Sequence, residues 1–284
     1  ALCQAVEAYP PEEVERITRV PAGRVREAAR LYASAPAACI SLGVAVELST
    51  NGFQTARGVA ALQAITGNLD IAGGAVFLSE APLSDLQLTL PKGVKQAIGA
   101  DEYPRCQRVS RNAQANLYAR AILEEKPYPL KGLVVAGSNP VLTWPNAGRV
   151  REALSRLEFL AVIDPVMTAT AREAHLVLPC ASFLGGDELW DSSHLSLAPR
   201  IGLAPRICDD GGLPTHWEIW REIAVRMGHS DFFPWGTEEE AITFRLRTLE
   251  LTYDDLRDMP EGYTYHRWTA KKYEKEGFNT DSGK

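Results

Sequence analysis

The sequence predicts an α/β protein with a parallel, doubly wound, Rossmann-like sheet and flanking helices. Three short apolar runs support this prediction, at residues 132–136, 159–163 and 176–179, and each has the length of a buried strand. Segments with helical spacing separate the runs, so the predicted order is strand, helix, strand, helix, strand. That order is typical of parallel strands joined by right-handed crossovers.

The helices of this unit follow from the spacing of their apolar residues. Residues 146–157 carry apolar side chains on one face, and a shorter helix is predicted over 170–174. A further helix is predicted over 217–227, where Gly228 ends it.

The N-terminal part is predicted to be mostly helical. Two short helices are expected within residues 11–35, and a strong amphipathic helix is expected over 53–65. Between them, the apolar residues 38–46 predict a buried strand that is followed by a turn. Residues 78–130 have the weakest pattern, and a helix over 112–125 is the one clear element predicted there.

Composition limits the classes of function. The chain has 284 residues and a net charge of −6, which argues against a nucleic-acid partner or an anionic membrane surface. It contains no apolar run of the length that spans a membrane. Its first residues lack the basic and apolar regions of a signal peptide, although a precursor could still carry one. Prokaryotic cytoplasm and periplasm therefore both stay open.

Neither the cysteines nor the histidines predict a metal site in this chain. The cysteines have wide spacings and form no CxxC motif, and the histidines show no ligand spacing. Free or buried thiols are the expected state, with a reactive thiol at Cys180 or Cys208 as the alternative. The five cysteines are Cys3, Cys39, Cys106, Cys180 and Cys208. No catalytic residue and no metal ligand is predicted.

Polar residues follow two of the predicted parallel strands. Gly137, Ser138 and Asn139 come after the first strand, and Asp164 comes after the second. Ligands of doubly wound sheets bind at the carboxyl ends of strands, where glycine admits a sugar or phosphate and an acid can hold ribose or guanine. An ordinary turn and a simple helix cap are the alternatives. The sequence lacks the GxGxxG and GxxxxGK[ST] motifs, which disfavours a standard NAD site or P-loop.

Several ordered blocks of sequence resemble one enzyme family. The blocks are, in chain order, ERITRVPAGRVREAARLYA, NGFQTARGVAALQAITGNLDIAGG, GLVVAGSNPVLTWPN, FLAVIDPVMTATAREAHLVLP, LPTHWEIWREIAVRMG and GFNTDSGK. Together they resemble the molybdopterin-dependent oxidoreductases of the dimethyl sulfoxide reductase family. The resemblance covers nearly the whole chain, with residues 78–130 as its weak stretch.

The resemblance implies a cofactor and its binding residues. Family members hold molybdenum or tungsten between two molybdopterin guanine dinucleotides, and one guanosine end would rest on this sheet. Asn139 matches the family's nucleotide-contacting asparagine. Ile163 and Asp164 match the strand-end pair whose aspartate reads guanine, while Thr168 and Thr170 match the polar helix start beside the nucleotide.

Other matches lie outside the sheet, and some depart from the family pattern. Val44 and Leu48 fall in the loop that contacts the pterin, but Leu48 replaces a common glutamine and loses its hydrogen bond. His216 stands where members often have an aspartate beside guanosine, and His175 replaces an acidic residue before the third strand. These changes weaken the transfer of a role to Leu48, His175 and His216.

The resemblance also implies how a complete enzyme would be organised. Residues 1–50 would be a helical lead and strand of a neighbouring α/β domain. Residues 51–229 would be the guanosine-binding domain, with 78–130 as an irregular insert, and 230–284 a tail that leads to a C-terminal cap. The metal ligand and any iron–sulfur cluster are expected outside this chain. The expected partners are the remainder of the catalytic subunit and an iron–sulfur electron-transfer subunit. The isolated chain is expected to be inactive.

Two other classes of function remain open at this point. One is a non-enzymatic module that binds guanine nucleotides or a partner through a Rossmann-like sheet. The other is half of an ordinary dehydrogenase, which the missing glycine motif disfavours. Two pairs of adjacent acids, at 187–188 and 209–210, could act in acid–base catalysis or be solvated turn residues.

Overall fold

A computed structural model describes residues 2–86, 97–104, 112–280, 282 and 283. The chain divides into two compact units, each built from separate stretches of sequence. Unit 1 comprises the described residues of Ala1–Glu80, Ser193–Pro199 and His266–Lys284. Unit 2 comprises those of Ala81–Ser192 and Arg200–Tyr265. The domain division expected for a complete enzyme stays a prediction.

Helices and short strands make up both units. The helices are α1 Leu2–Val6, α2 Pro11–Thr18, α3 Ala22–Ser34, α4 Val44–Glu47, α5 Gly52–Ile65, α6 Tyr118–Glu124, α7 Pro140–Thr143, α8 Ala147–Ser155, α9 His216–Arg226, α10 Glu238–Leu246, α11 Tyr253–Arg257 and α12 Lys272–Glu276. The strands are β1 Gly132–Ala136, β2 Phe159–Ile163, β3 Leu176–Leu178, β4 Glu188–Asp191, β5 Arg200–Ala204 and β6 Tyr263–Thr264. Turns of 3-10 helix lie at Ala115–Leu117, Ala171–Glu173, Ser230–Phe232 and Arg247–Leu249.

Unit 2 contains the predicted parallel sheet. Its strands run in the order β1-β2-β3, and both pairings are parallel. Because successive residues of a strand point to opposite faces, β2 supplies Leu160 and Val162 to one face and Ile163 to the other. All three side chains are fully buried. The α/β fold class is therefore confirmed.

Helices cover both faces of this sheet. One face packs on α6 and α8, and buried Ile122, Val150 and Leu154 belong to that cluster. The opposite face packs on α9 through Ile219, with Ile223 beside it. Two covered faces explain why the strand sequences are continuous apolar runs instead of alternating ones.

A second sheet in unit 2 was not predicted from the sequence. Strands β4, β5 and β6 form an antiparallel sheet in that order. Its apolar side packs on α10 and α11. The buried members of this cluster are Ile201, Leu203, Ile242, Leu246, Tyr253 and Leu256. The sequences of these strands, ELWD, RIGLA and YT, contain charged or polar residues, so they are not the continuous apolar runs that indicate the parallel strands.

The expected helices of unit 1 are confirmed, but its expected strand is wrong. Residues 38–43 form no strand, and Gly43 leads directly into α4. Side chains hold this segment: the Ala38 amide donates to Asn68 Oδ1 (2.9 Å), and the Ile40 carbonyl accepts from Gln63 Nε2 (3.4 Å). Within the described part of the chain, no neighbouring strand lies beside it to supply backbone hydrogen bonds.

Other predicted elements differ in type or length. The helix expected over 112–125 is a 3-10 turn followed by α6, and the helix expected over 170–174 is a 3-10 turn. Residues 87–96 and 105–111 of the predicted insert, with Cys106, lie outside the described residues. Over the part of the chain that is described, every helix is too short or too polar to cross a membrane.

Candidate functional site

The carboxyl ends of the three parallel strands lie level with one another. Ala136 of β1 pairs with Ile163 of β2, and Ile163 pairs with Leu178 of β3. The residues that follow these strands therefore share one edge of the sheet, which is where open α/β sheets bind ligands. The residues in question are Gly137, Ser138, Asn139, Asp164 and Cys180.

Asp164 presents one carboxylate oxygen to this edge. Its Oδ1 accepts a hydrogen bond from the Val166 amide (2.8 Å), and the residue is only 9% exposed. Among the residues that the structure describes, none donates to the second oxygen, Oδ2. The Val166 amide fixes the orientation of the carboxylate, and Oδ2 is left to accept hydrogen bonds from a ligand.

The side chain of Asn139 is fixed through its oxygen. Asn139 Oδ1 accepts from the backbone amide of Thr170 (3.2 Å) and from its hydroxyl (2.8 Å). Because a backbone amide can only donate, the atom that faces it must be the oxygen. The amide group Nδ2 then points away from Thr170, and no described residue accepts from it. Asn139 thus offers two donors beside the carboxylate acceptor of Asp164.

The turn between β1 and α7 leaves room for a ligand at the backbone. Gly137 has a φ of 56°, a conformation that favours glycine, and its amide donates to the Ile163 carbonyl (2.9 Å). Ser138 is exposed beside it. Thr168 is half-buried, and its hydroxyl accepts from the Ala171 amide (3.1 Å), which supports the start of the 3-10 turn.

Two of the predicted site residues are fully buried. The side chain of Ile163 packs in the core against Cys180 and Ile219. The hydroxyl of Thr170 is occupied, since it donates to Asn139 and accepts from the Val141 amide (3.1 Å). Their side chains therefore position the neighbouring residues, and a role of either residue in cofactor binding stays a prediction.

His216 lies at the same edge. It is the first residue of α9, whose N-cap Thr215 forms a capping box with Glu218. Its Nε2 lies 3.4 Å from the Sγ of Cys180, and a Cβ added at Gly137 would lie 3.9 Å from its Cε1. The contact with Cys180 was not predicted, although the strand-end rule could have identified Cys180.

Val44 and Leu48 belong to unit 1, unlike the rest of the predicted site. Val44 begins α4 and Leu48 follows its last residue. Both side chains are exposed, at 64% and 82%. Exposed apolar residues at one short helix are suited to contact with another surface or a cofactor.

The paired acidic residues have structural roles. Asp210 accepts from the amide and hydroxyl of Ser182 (2.6 and 2.7 Å), and these hydrogen bonds lower the pKa of its carboxyl. Asp187 accepts from the Arg206 amide (2.8 Å) and from the Tyr253 hydroxyl (3.2 Å). Each pair therefore contains a carboxylate that ties two segments together, which favours the structural interpretation over acid–base catalysis.

The described residues contain no cluster of His, Cys, Asp and Glu that could hold a metal ion. His175, which replaces an acidic residue of the family pattern, accepts from the Leu160 amide through Nδ1 (2.9 Å). Its ring stacks on Phe159. His175 therefore ties the segment between the 3-10 turn and β3 to the start of β2.

Comparison with known proteins decides the family. The family model described as molybdopterin oxidoreductase matches residues 27–191, which is more than half of the 284 residues. The chain belongs to the molybdopterin oxidoreductase family. The predicted resemblance to this family, of the dimethyl sulfoxide reductase type, is thereby confirmed.

Relatives and a solved structure agree with this family assignment. Formate dehydrogenase H from Escherichia coli is 30% identical, covering 79% of this chain and 33% of that protein. Thiosulfate reductase molybdopterin-containing subunit PhsA from Salmonella typhimurium is 26% identical, covering 92% and 36%. The structure of acetylene hydratase from Pelobacter acetylenicus has a TM-score of 0.81 at 24% identity, covering 99% and 42%, and shows the shared fold.

The chain spans 33% to 42% of the length of these molybdopterin proteins. Their names describe a dehydrogenase, a reductase and a hydratase. Membership of the family therefore fixes the class of cofactor as a molybdenum or tungsten pterin and leaves the reaction open.

Proposed function

We propose that the carboxyl edge of the parallel sheet binds the guanosine end of a molybdopterin guanine dinucleotide. The chain would be part of the catalytic subunit of a molybdenum or tungsten oxidoreductase. One observation carries this proposal: Asp164 has one oxygen fixed by Val166 and the other free to accept, and it lies at the carboxyl edge of the sheet, where open α/β sheets generally bind ligands.

The donors and acceptors at this edge suit guanine. The N1–H and N2–H groups of guanine both donate, so they match a carboxylate acceptor such as Asp164. The free Nδ2 group of Asn139 can donate to a carbonyl, ribose or phosphate oxygen. Adenine lacks the N1–H donor, so the same edge should discriminate against it. The residues present therefore fit the guanosine group.

Two further parts of the chain are assigned to the cofactor by this proposal. In unit 1, the exposed side chains of Val44 and Leu48 would contact the pterin. In unit 2, Ser138 and Thr168 would lie beside the ribose and the diphosphate. Arg172 is exposed on the 3-10 turn, where its guanidinium could reach a phosphate.

The chemistry would come from the cofactor, whose metal supplies two-electron redox chemistry when it is bound. The residues of this chain would bind and orient the guanosine end, and Asp164 would hold the base in one orientation. A complete enzyme would add the metal ligand. We also propose an iron–sulfur partner subunit, which agrees with one relative being named as a subunit.

Nucleotide selectivity tests this proposal directly. The 284-residue chain would be titrated with GDP, ADP and NAD in a calorimeter at one salt concentration. We expect GDP to bind at least about tenfold more tightly than ADP, because two hydrogen bonds to a carboxylate are lost with adenine. Preferential binding of NAD, or equal binding of GDP and ADP, would contradict the proposal.

A further inference from the structure

A thiol and an imidazole form a pair at the proposed nucleotide edge. The Sγ of Cys180 lies 3.4 Å from the Nε2 of His216, within the range of a sulfur hydrogen bond. Cys180 is fully buried, whereas His216 is half-buried and begins α9. The ring of His216 lies next to Gly137, in the turn after β1. Because Gly137 has no side chain, none stands between this turn and the imidazole.

A protonated thiol can donate this hydrogen bond to the ring nitrogen. Burial raises the pKa of the Cys180 thiol, and the negative charge of Asp164 raises it further. Cys180 therefore keeps its proton at neutral pH. A neutral imidazole has one acceptor nitrogen and one N–H, so a thiol that donates to Nε2 leaves the proton of His216 on Nδ1.

The second ring nitrogen is available to a ligand. None of the described residues accepts a hydrogen bond from His216 Nδ1. Exposed neutral histidines favour the proton on Nε2, so the pairing with Cys180 would reverse the ordinary preference. With the proton held on Nδ1, this nitrogen would always be a hydrogen-bond donor. In a histidine without such a partner, Nδ1 would carry the proton less often.

We propose that Cys180 is a positioning residue that keeps the proton of His216 on Nδ1, so that this N–H donates to a ribose or phosphate oxygen of the bound guanine nucleotide. The ligand part of this inference rests on the proposed function. The contact between Cys180 and His216 is present without any ligand, so the tautomer and the binding of the nucleotide can be tested separately.

The tautomer is tested first without any ligand. The chain would be labelled with ¹⁵N-histidine, and long-range proton–nitrogen correlation spectra would be recorded at pH 8, above the ordinary imidazole pKa of about 6.5. A His216→Gln variant identifies the signals of His216 among the other histidines. We expect the Nδ1–H form in the wild type and in Cys180→Ser, which keeps a donor. Cys180→Ala should shift His216 toward the Nε2–H form.

Binding of GDP is tested next on the same proteins. We expect Cys180→Ala to weaken GDP binding about fivefold, the size of one lost neutral hydrogen bond, and Cys180→Ser to restore most of it. Cys208→Ala is the matched control, since it removes another thiol of unit 2, one that donates to Asp210. It should leave both the tautomer and the affinity unchanged.

Distinct results would overturn each part. An Nε2–H wild type, or the same tautomer in wild type and Cys180→Ala, would refute the pairing. The expected tautomers with equal GDP affinity in wild type and Cys180→Ala would refute the role of Nδ1 in binding. Absence of GDP binding in every protein, with the expected tautomers, would refute the proposed function and leave the pairing established.

Discussion

The amide oxygen of Asn139 accepts two hydrogen bonds from Thr170, a residue 31 positions further along the chain. The hydroxyl of Thr170 also accepts from the amide of Val141. One buried threonine therefore joins the turn after β1 to the segment after β2. Since the oxygen of Asn139 is occupied, only its amide group can face a ligand.

Removing the hydroxyl of Thr170 should lower the stability of the protein. Thr170→Val keeps the shape of the side chain but leaves the Val141 amide without its acceptor in a fully buried place. We expect a loss of about 1 to 3 kcal/mol in the free energy of unfolding. Urea denaturation followed by circular dichroism measures this loss. Thr143→Val, at an exposed hydroxyl of α7, is the control and should change stability by less than about 0.5 kcal/mol.

Asp164→Asn should remove the preference for guanine and leave the fold intact. The new side-chain oxygen can still accept from the Val166 amide, but the other position becomes a donor that opposes the donors of guanine. We expect GDP affinity to fall about 10- to 100-fold, with ADP affinity little changed. Calorimetry measures both. Asp209→Asn makes the same change of charge in an exposed loop and should leave GDP affinity unchanged. If Asp164→Asn does not alter GDP affinity either, Asp164 is excluded from the site.

The parallel sheet can be predicted from the sequence because its strands are buried on both faces. Such strands are continuous apolar runs, and β2 is the clearest of them. The antiparallel sheet cannot be predicted in this way. Strand β6 has two residues, and the β5–β6 pairing joins segments about 60 positions apart. Likewise, the segment 38–43 has the composition of a strand but no partner strand among the described residues.

The same distinction applies to the site. Asn139 and Asp164 can be predicted because they follow apolar strands, and the strand-end rule needs only local sequence. The contact between Cys180 and His216 depends on how α9 packs on the sheet through Ile219, and it joins residues 36 positions apart. No local pattern encodes that distance. The burial of Thr170 could not be predicted from the sequence either, since a polar residue beside a turn is ordinarily expected to be exposed.

In unit 1, Asp70 holds the C-terminal segment. Its carboxylate accepts from the indole N–H of Trp268 (2.8 Å) and from the Lys272 amide (2.7 Å), and Asp70 itself is 2% exposed. We expect Asp70→Ala to lower the free energy of unfolding by about 2 to 3 kcal/mol, because two donors lose their acceptor. Trp268→Phe removes one of the two donors and should cost about half as much.

Hydrogen exchange separates this role from a general loss of stability. In Asp70→Ala, the amides of residues 266–280 should exchange faster than those of α5, since the contact anchors that segment directly. Glu274→Ala, which removes only an exposed ion pair of the same segment, is the control. Equal acceleration in α5 and in residues 266–280 would show that Asp70 stabilises the unit as a whole.

The stability of the protein should depend on pH through Glu238. Burial raises the pKa of this carboxyl from 4.5 to about 7, and the carboxylates of Asp187, Glu218 and Glu188 contribute to the rise. The ordinary value applies to the unfolded chain. Between pH 4.5 and about 7 the folded protein therefore holds the proton that the unfolded chain releases. Stability contributed by this proton is present below pH 4.5 and is lost as the pH rises through about 7.

Glu238→Gln should remove this dependence, because the amide is neutral at every pH. We expect the variant to match the wild type near pH 4.5 and to be more stable at pH 8 by about 1 to 2 kcal/mol, less than the shift alone implies because the side chain keeps some contact with water. Urea denaturation at a series of pH values gives both curves. Glu239→Gln makes the same change at the next, exposed position of α10, so it controls for the interaction of a carboxylate with the helix N-terminus. A gain at pH 8 that is equal in the two variants would show that the acidic first turn of α10, and not the burial of Glu238, sets the pH dependence.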